Sequence, residues 1–163
     1  MGQNEGDMAE ELKEGDAAPN FALATDGGGR SSLADLKGKT VVLYFYPKDD
    51  TSGCTAEAIA FSGLKGQFAA AGATVVGVSP DSAASHDKFK AKHKLALDLA
   101  ADPDRSAIDA YGVWKEKSMY GRKYFGVERS TFLIDGNGKL AKIWRKVKVP
   151  GHAEAVLAAV KAL

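Results

Sequence analysis

The sequence is poor in residues that bind metals or form disulfides. It has one cysteine, Cys54, and three histidines (His86, His93 and His152), without the paired spacing of a zinc site. We therefore expect no metal and no internal disulfide. Cys54 is then either a buried apolar side chain or a reactive thiol. His86 and His93 are expected on the surface of a helix.

An excess of charge of one sign is also lacking. The 22 basic and 21 acidic residues give a formal net charge of +1, which supplies no field to attract nucleic acid or an anionic membrane. No apolar run approaches the ~20 residues of a membrane span, and the first residues are acidic and polar, unlike a secretory signal. We therefore expect a cytoplasmic protein that binds neither nucleic acid nor membrane.

The chain length suits one domain. The polar residues 1–15 are predicted to be a flexible N-terminal tail, followed by a single domain over 16–163. "APNFAL" and "RSSLADLKGK" flank a glycine-rich turn, which predicts an N-terminal β-hairpin followed by a helical turn. "TVVLYFY" (40–46) and "ATVVGVS" (73–79) have the continuous apolar pattern of buried parallel strands.

Helical periodicity follows each of these strands, over 52–70 and from about 82 to 93. "LALDLA" is predicted as a third strand, "STFLID" and "LAKIWRKV" as a hairpin around "DGNGK", and "AEAVLAAVKAL" as a closing helix. A βαβ half joined to a ββα half predicts an α/β protein with a thioredoxin-like fold. Its mixed central sheet is flanked by helices, the N-terminal hairpin is an extension, and further additions lie around 105–125.

Cys54 lies where the strand over 40–46 gives way to a helix. Parallel α/β sheets bind ligands beyond the carboxyl ends of their strands, and a helix N-terminus stabilises an anion such as a thiolate. This position favours the reactive thiol. Thr51 stands where a thiol-disulfide oxidoreductase would have a first cysteine, so disulfide exchange within the motif is excluded. A hydroxyl and a thiol one helical turn apart can instead face one small ligand.

The stretch "PKDDTSGC" resembles the Pro-x-x-x-Thr-x-x-Cys motif of peroxiredoxins, with Pro47, Thr51 and Cys54 matching. "YFYPKDDTSGCTAEA", "GVSPDS", "LAADPD" and "GVERSTFLID" resemble successive landmarks of the bacterioferritin comigratory protein branch, also called PrxQ. The resemblance runs from about residue 14 to the C-terminus. It implies a thiol-dependent peroxidase that reduces hydrogen peroxide and small organic hydroperoxides without metal, haem or flavin.

The same resemblance implies roles for residues around the thiol. Cys54 would be the peroxidatic cysteine, whose thiolate attacks the peroxide and becomes a sulfenic acid. Thr51 would bond the peroxide, Gly53 would let the backbone approach it, and Pro47 would shield the thiolate from water. Arg129 matches the family arginine, which would favour the thiolate and donate to the peroxide in the transition state.

Glu57 would hold Arg129 in place; otherwise it is an exposed helix glutamate. Family members carry a resolving cysteine five residues after the peroxidatic one or in the following helix, but these positions hold Ile59 and Lys90. The absence of a resolving cysteine at these two positions implies a one-cysteine cycle, in which an external thiol such as glutathione, glutaredoxin or thioredoxin reduces the sulfenic acid. A disulfide between two Cys54 residues is a second route. The protein is expected to be a monomer or a weak dimer.

Two other interpretations of Cys54 stay open. A peroxide sensor or redox relay would use the same pocket and pass its oxidation to a partner protein. A thioredoxin-like structural domain would keep an inert, buried cysteine, which slow alkylation would reveal.

Overall fold

A computed structural model describes residues 11–163, and a mixed seven-stranded sheet forms its centre. The strands are β1 (Ala22–Thr25), β2 (Arg30–Ser32), β3 (Thr40–Phe45), β4 (Ala73–Ser79), β5 (Asp98–Ala101), β6 (Trp114–Met119), β7 (Arg122–Val127), β8 (Ser130–Ile134) and β9 (Leu140–Trp144). The helices are α1 (Ser52–Gly63), α2 (Lys65–Ala70), α3 (Ala83–His93), α4 (Ser106–Ala110) and α5 (His152–Lys161). The predicted mixed sheet with flanking helices is confirmed.

The sheet has the strand order β9-β8-β3-β4-β5-β1-β2. Strands β3, β4 and β5 run parallel, while β8 pairs antiparallel with β3 and β1 pairs antiparallel with β5. The predicted N-terminal hairpin is β1–β2, which extends the sheet beyond β5. Strands β6 and β7 form a separate hairpin, and together with α4 they account for the additions expected around 105–125.

Strand β3 is buried on both faces, as its apolar run predicts. Val42 and Tyr44 belong to the core layer shared with α1, α2 and α5, whereas Val41, Leu43 and Phe45 face the layer under α4. The alternation follows from the two-residue period of a strand. It leaves the carboxyl end of β3 fixed between two packed layers, at the point where the chain turns towards Cys54.

The predicted helix over 52–70 is in fact two helices. The break lies at Leu64, whose backbone (φ −102°, ψ 5°) leaves the helical path between Gly63 and Gly66. Glycine costs helix stability because its backbone loses the most freedom on folding, so two glycines three residues apart favour a break here. Phe61 and Phe68 nevertheless both reach the core.

Part of the predicted N-terminal tail contacts the domain. The N–H of Gly15 donates to the Leu140 carbonyl (2.7 Å), and Arg145 Nη2 donates to the carbonyl of Leu12 (3.2 Å). The contacts of the domain therefore begin before the predicted boundary at residue 16, while residues 1–10 lie outside the described part of the chain.

Within residues 11–163, no helix combines the length and apolar character needed to cross a membrane. A cytoplasmic location stays a prediction.

Candidate active site

Cys54 lies in the first turn of α1, directly beyond the carboxyl end of β3, and is 1% exposed. Thr51 is the N-cap residue, in extended conformation. The first bond of the helix runs from the Thr55 N–H to the Thr51 carbonyl (2.8 Å), so the N–H groups of Ser52, Gly53 and Cys54 are left at the helix end. The sulfur thus lies at the positive end of a helix.

Arg129 contacts both Cys54 and Glu57. Its Nη2 donates to the sulfur of Cys54 (3.3 Å), and its Nη1 donates to Glu57 Oε1 (2.6 Å). The register of the sheet produces this meeting, because Ser130 of β8 pairs with Phe45 of β3 and so places Arg129 beside the turn that leads to α1. Glu57 lies one helical turn after Cys54 and is 1% exposed rather than on the surface.

Glu57 and Arg129 are largely buried, so their charges act strongly on one another. Burial raises the pKa of Glu57 to about 7, although the positive charge of Arg129 acts in the opposite direction. Burial acts to lower the pKa of Arg129, but the negative charges of Glu57 and Cys54 raise it above its ordinary value. Arg129 therefore stays a cation beside the sulfur.

Lys117, on β6, supplies a second positive charge near this site. Burial and the charge of Arg129 hold the pKa of Lys117 below its ordinary value, while the negative charges of Cys54 and Glu128 act to raise it. No pattern in the sequence points to Lys117, because only the fold brings the β6–β7 hairpin towards α1.

Gly53 lies against the guanidinium group. A Cβ added at this position would stand 3.1 Å from Arg129 Nη2, closer than most such contacts. The absence of a side chain at Gly53 therefore leaves room for the guanidinium in its position beside the sulfur.

Residues 47–51 form the turn between β3 and α1, here called the active-site turn. Thr51 Oγ1 donates to the carbonyl of Lys48 within this turn (2.9 Å), which leaves the oxygen lone pairs of the hydroxyl free to accept a bond. Pro47 begins the turn and is half-buried. Its role in shielding the thiolate stays a prediction.

The active-site turn is attached to α3 through Asp49, which sequence reasoning missed. The buried Asp49 carboxylate accepts bonds from Tyr46 Oη (2.6 Å), Ser85 Oγ (2.7 Å) and His86 Nδ1 (2.7 Å). His86 Nε2 bonds the carbonyl of Ala100 (3.0 Å). The prediction that His86 lies on the surface is wrong, because it is 0% exposed. The available signal was its position one helical turn before Phe89, on the apolar face of α3.

The next residue of the turn also contacts α3. Asp50 has a positive φ of 60°, and its carboxylate accepts bonds from Lys92 Nζ (2.7 Å) and His93 Nε2 (2.8 Å). These bonds hold the pKa of Asp50 below its ordinary value. His93 is therefore only partly exposed, with 23% of its side chain in contact with solvent.

Other residues stand at the two positions where the peroxiredoxins that the sequence resembles carry a resolving cysteine. Ile59 lies on α1 and is 50% exposed, and Lys90 of α3 pairs with Asp26 (2.6 Å). Among residues 11–163, no three or more His, Cys, Asp or Glu side chains are grouped so that they could hold a metal ion.

The AhpC/TSA family matches residues 14–143 of the chain. A putative peroxiredoxin of Coxiella burnetii is 49% identical over 146 residues, covering 90% of this chain and 97% of that protein. Peroxiredoxin Bcp of Bacillus subtilis is 49% identical over 150 residues, covering 92% and 96% respectively.

Solved structures of similar proteins have the same fold. Peroxiredoxin Q of Xanthomonas campestris superposes with a TM-score of 0.83 at 49% identity, over 87% of this chain and 90% of that chain. A mutant of PrxQ from Xylella fastidiosa gives a TM-score of 0.89 at 43% identity, over 94% and 98%. The predicted thioredoxin-like architecture is thereby confirmed.

Proposed function

This chain belongs to the AhpC/TSA family and is a one-cysteine peroxiredoxin of the bacterioferritin comigratory protein branch, and we propose that Cys54 is the residue that reduces the peroxide. The proposed substrates are hydrogen peroxide and small organic hydroperoxides. One observation carries the proposal: Arg129 Nη2 lies 3.3 Å from the sulfur of the single cysteine, at a helix N-terminus. A cation and a helix end both favour the thiolate, which is the nucleophilic form.

In the proposed first step, the thiolate attacks the nearer oxygen of the peroxide. A sulfur–oxygen bond forms, the oxygen–oxygen bond breaks, and Cys54 becomes a sulfenic acid. The departing hydroxide or alkoxide takes up the proton that the thiol gave up, so water or an alcohol leaves. Negative charge moves from sulfur to oxygen, and Arg129 can donate to both along this path.

Thr51 and the helix end would orient the peroxide. Because the Thr51 hydroxyl proton is directed at the Lys48 carbonyl, the oxygen of Thr51 is an acceptor for the O–H of the peroxide. The N–H groups of Gly53 and Cys54 would be the donors, because the first bond of the helix runs from the Thr55 N–H to the Thr51 carbonyl and leaves them without a partner in the helix. A peroxide held between acceptor and donors is fixed in line with the sulfur, which lowers the entropy cost of the reaction.

The proposed second half of the cycle uses an external thiol. An external thiol gives up its proton and attacks the sulfenic sulfur as a thiolate; the sulfur–oxygen bond breaks, the departing hydroxide takes up that proton, and water leaves a mixed disulfide with Cys54. A second external thiol attacks the partner sulfur and releases Cys54 with a new disulfide. Ile59 and Lys90 at the alternative positions favour this route, since neither can resolve the sulfenic acid. Glutathione, glutaredoxin and thioredoxin are the proposed reductants.

The test uses reduced protein and one equivalent of hydrogen peroxide. We expect the thiol to disappear far faster than free cysteine does, and intact mass to show one adduct when a sulfenic-acid trapping reagent is present. Cys54→Ser is the control, because it should consume no peroxide and form no adduct. Oxidation of the wild-type thiol at the rate of free cysteine would contradict the proposal.

A further inference from the structure

The active-site turn is attached to elements that carry none of the residues proposed to contact the peroxide. The Asp49 side chain bonds Ser85 and His86 of α3, and its backbone N–H donates to Asp81 Oδ2 (2.8 Å), just beyond β4. Asp50 bonds the far end of α3 through Lys92 and His93. Two consecutive residues of the turn are therefore held along the length of one helix.

The imidazole of His86 is bonded at both ring nitrogens. Nδ1 lies 2.7 Å from Oδ2 of Asp49, and Nε2 lies 3.0 Å from the carbonyl oxygen of Ala100. Burial would raise the pKa of Asp49, but the bonds from His86, Tyr46 and Ser85 hold it below its ordinary value. His86 therefore joins the active-site turn to the Ala100 carbonyl of β5 through its two ring nitrogens.

We propose that His86, through its bond to Asp49, is a positioning residue for the peroxide. The inference rests on the proposed function of Cys54 and deepens it. Asp49 follows Lys48, whose carbonyl fixes the hydroxyl of Thr51, and Asp50 precedes Thr51 with the strained φ of 60°. Holding Asp49 and Asp50 on α3 thus sets where the Thr51 oxygen lies relative to the sulfur of Cys54.

Arg129 precedes β8, which lies on one side of β3, whereas α3 is bonded to β5, which lies beyond β4 on the other side of β3. Arg129 reaches the sulfur from β8 and is held by Glu57 of α1, and neither of these bonds involves α3. Releasing Asp49 should therefore move the peroxide acceptor and leave the cation in place. Reactivity towards a reagent that needs only the thiolate should then persist, while reactivity towards peroxide falls.

The experiment compares His86→Leu, His86→Asn and wild type at a temperature where circular dichroism shows all of them folded. We expect His86→Leu to slow Cys54 oxidation by hydrogen peroxide about tenfold or more, because small misplacements of reacting groups cost this much. Alkylation by iodoacetamide should not slow. His86→Asn should recover part of the peroxide rate, since its amide N–H can donate to Asp49.

Ser82→Ala is the matched control. Ser82 caps α3 through Ser85 N–H (3.1 Å), so its loss weakens the same helix end without removing a bond to Asp49. We expect its peroxide rate to stay near that of wild type. If His86→Leu does not fold, Ser85→Ala removes one bond to the same carboxylate and should slow oxidation about threefold.

The inference is overturned if every folded variant that loses a bond to Asp49 reacts with peroxide at the wild-type rate. It is also overturned if Ser82→Ala slows the reaction as much as these variants do. Failure of the proposed function would look different, since wild type itself would then react with peroxide no faster than free cysteine.

Discussion

Removing the guanidinium of Arg129 is the sharpest perturbation of the proposed reaction. In Arg129→Ala, Cys54 loses the cation at 3.3 Å and Glu57 loses its partner at 2.6 Å. The second loss should be tolerated by the fold, because burial already raises the pKa of Glu57 to about 7 and the carboxyl can take up a proton. The variant is therefore expected to fold with a neutral carboxyl in place of the ion pair.

The size of the effect follows from the geometry. Two unit charges 3.3 Å apart interact by about 5 kcal/mol at an effective dielectric constant of roughly 20, which is an upper limit because Arg129 also pairs with Glu57. Only the part gained in the transition state speeds the reaction, and loss of one such donor costs about 3 kcal/mol in other enzymes. We expect Arg129→Ala to react with peroxide about 10²-fold more slowly.

The assay is stopped-flow oxidation of the reduced protein under excess hydrogen peroxide, with the remaining thiol counted after quenching. Arg122→Ala removes the same charge from an exposed position on β7 and should leave the rate unchanged. The oxidation rate of Arg129→Lys should lie between the rates of Arg129→Ala and Arg122→Ala, because one ammonium group does not reproduce the planar, forked guanidinium. A rate for Arg129→Ala within about threefold of wild type would remove Arg129 from the transition state, since that ratio is under 1 kcal/mol.

Three further substitutions test the electrostatics and packing of the site. Burial raises the folded pKa of Glu57 from 4.5 to about 7. The contribution of Glu57 to stability is therefore complete below pH 4.5 and is lost as the pH rises to about 7, a fall of about 3 kcal/mol in the free energy of unfolding. Urea unfolding of Glu57→Gln over this pH range should lack the fall. Burial and the charge of Arg129 lower the pKa of His152 from 6.5 to about 4, so its contribution is present above pH 6.5 and is lost as the pH falls towards 4. His152→Gln should flatten that acid limb, and an unchanged pH profile in either variant would contradict the corresponding assignment. Gly53→Ala should oxidise about tenfold more slowly in the stopped-flow assay, because its Cβ would stand 3.1 Å from Arg129 Nη2. Its stability to unfolding should be equal to or higher than that of wild type. Oxidation of Gly53→Ala at the wild-type rate would show that the guanidinium adjusts without loss.

The parts of the fold that the sequence predicts well are those where local pattern and burial agree. Strand β3 packs on both faces, so its apolar run has no polar alternation, and Cys54 follows at a helix start that can be recognised from the chain alone. Arg129 is different. It stands 75 residues from Cys54 in the chain, and only the resemblance to a family indicated that β8 would bring it to the sulfur.

The pairing of residues that serve the site through a buried polar contact could not be predicted in this way, although the spacing of His86 to Phe89 is a signal for the burial of His86 alone. His86 and Asp49 are 37 residues apart, and polarity alone places both on a surface. A buried charge is stable only with a partner, so the burial of either residue depends on the position of the other. The register of α3 against the active-site turn decides this position, and the register is a property of the packed fold.

The burial of Cys54 places opposite demands on the two halves of the proposed cycle. A peroxide is small, which favours its access to the sulfur of a residue that is 1% exposed, and the bonds of the active-site turn hold Thr51 in position for it. An external thiol must bring a second sulfur, with the groups attached to it, into contact with the same atom. The first turn of α1 or the active-site turn must therefore move before a mixed disulfide can form. Bonds from α3 to Asp49 and Asp50 oppose that movement, so loosening them should slow oxidation by peroxide and speed reduction by the external thiol.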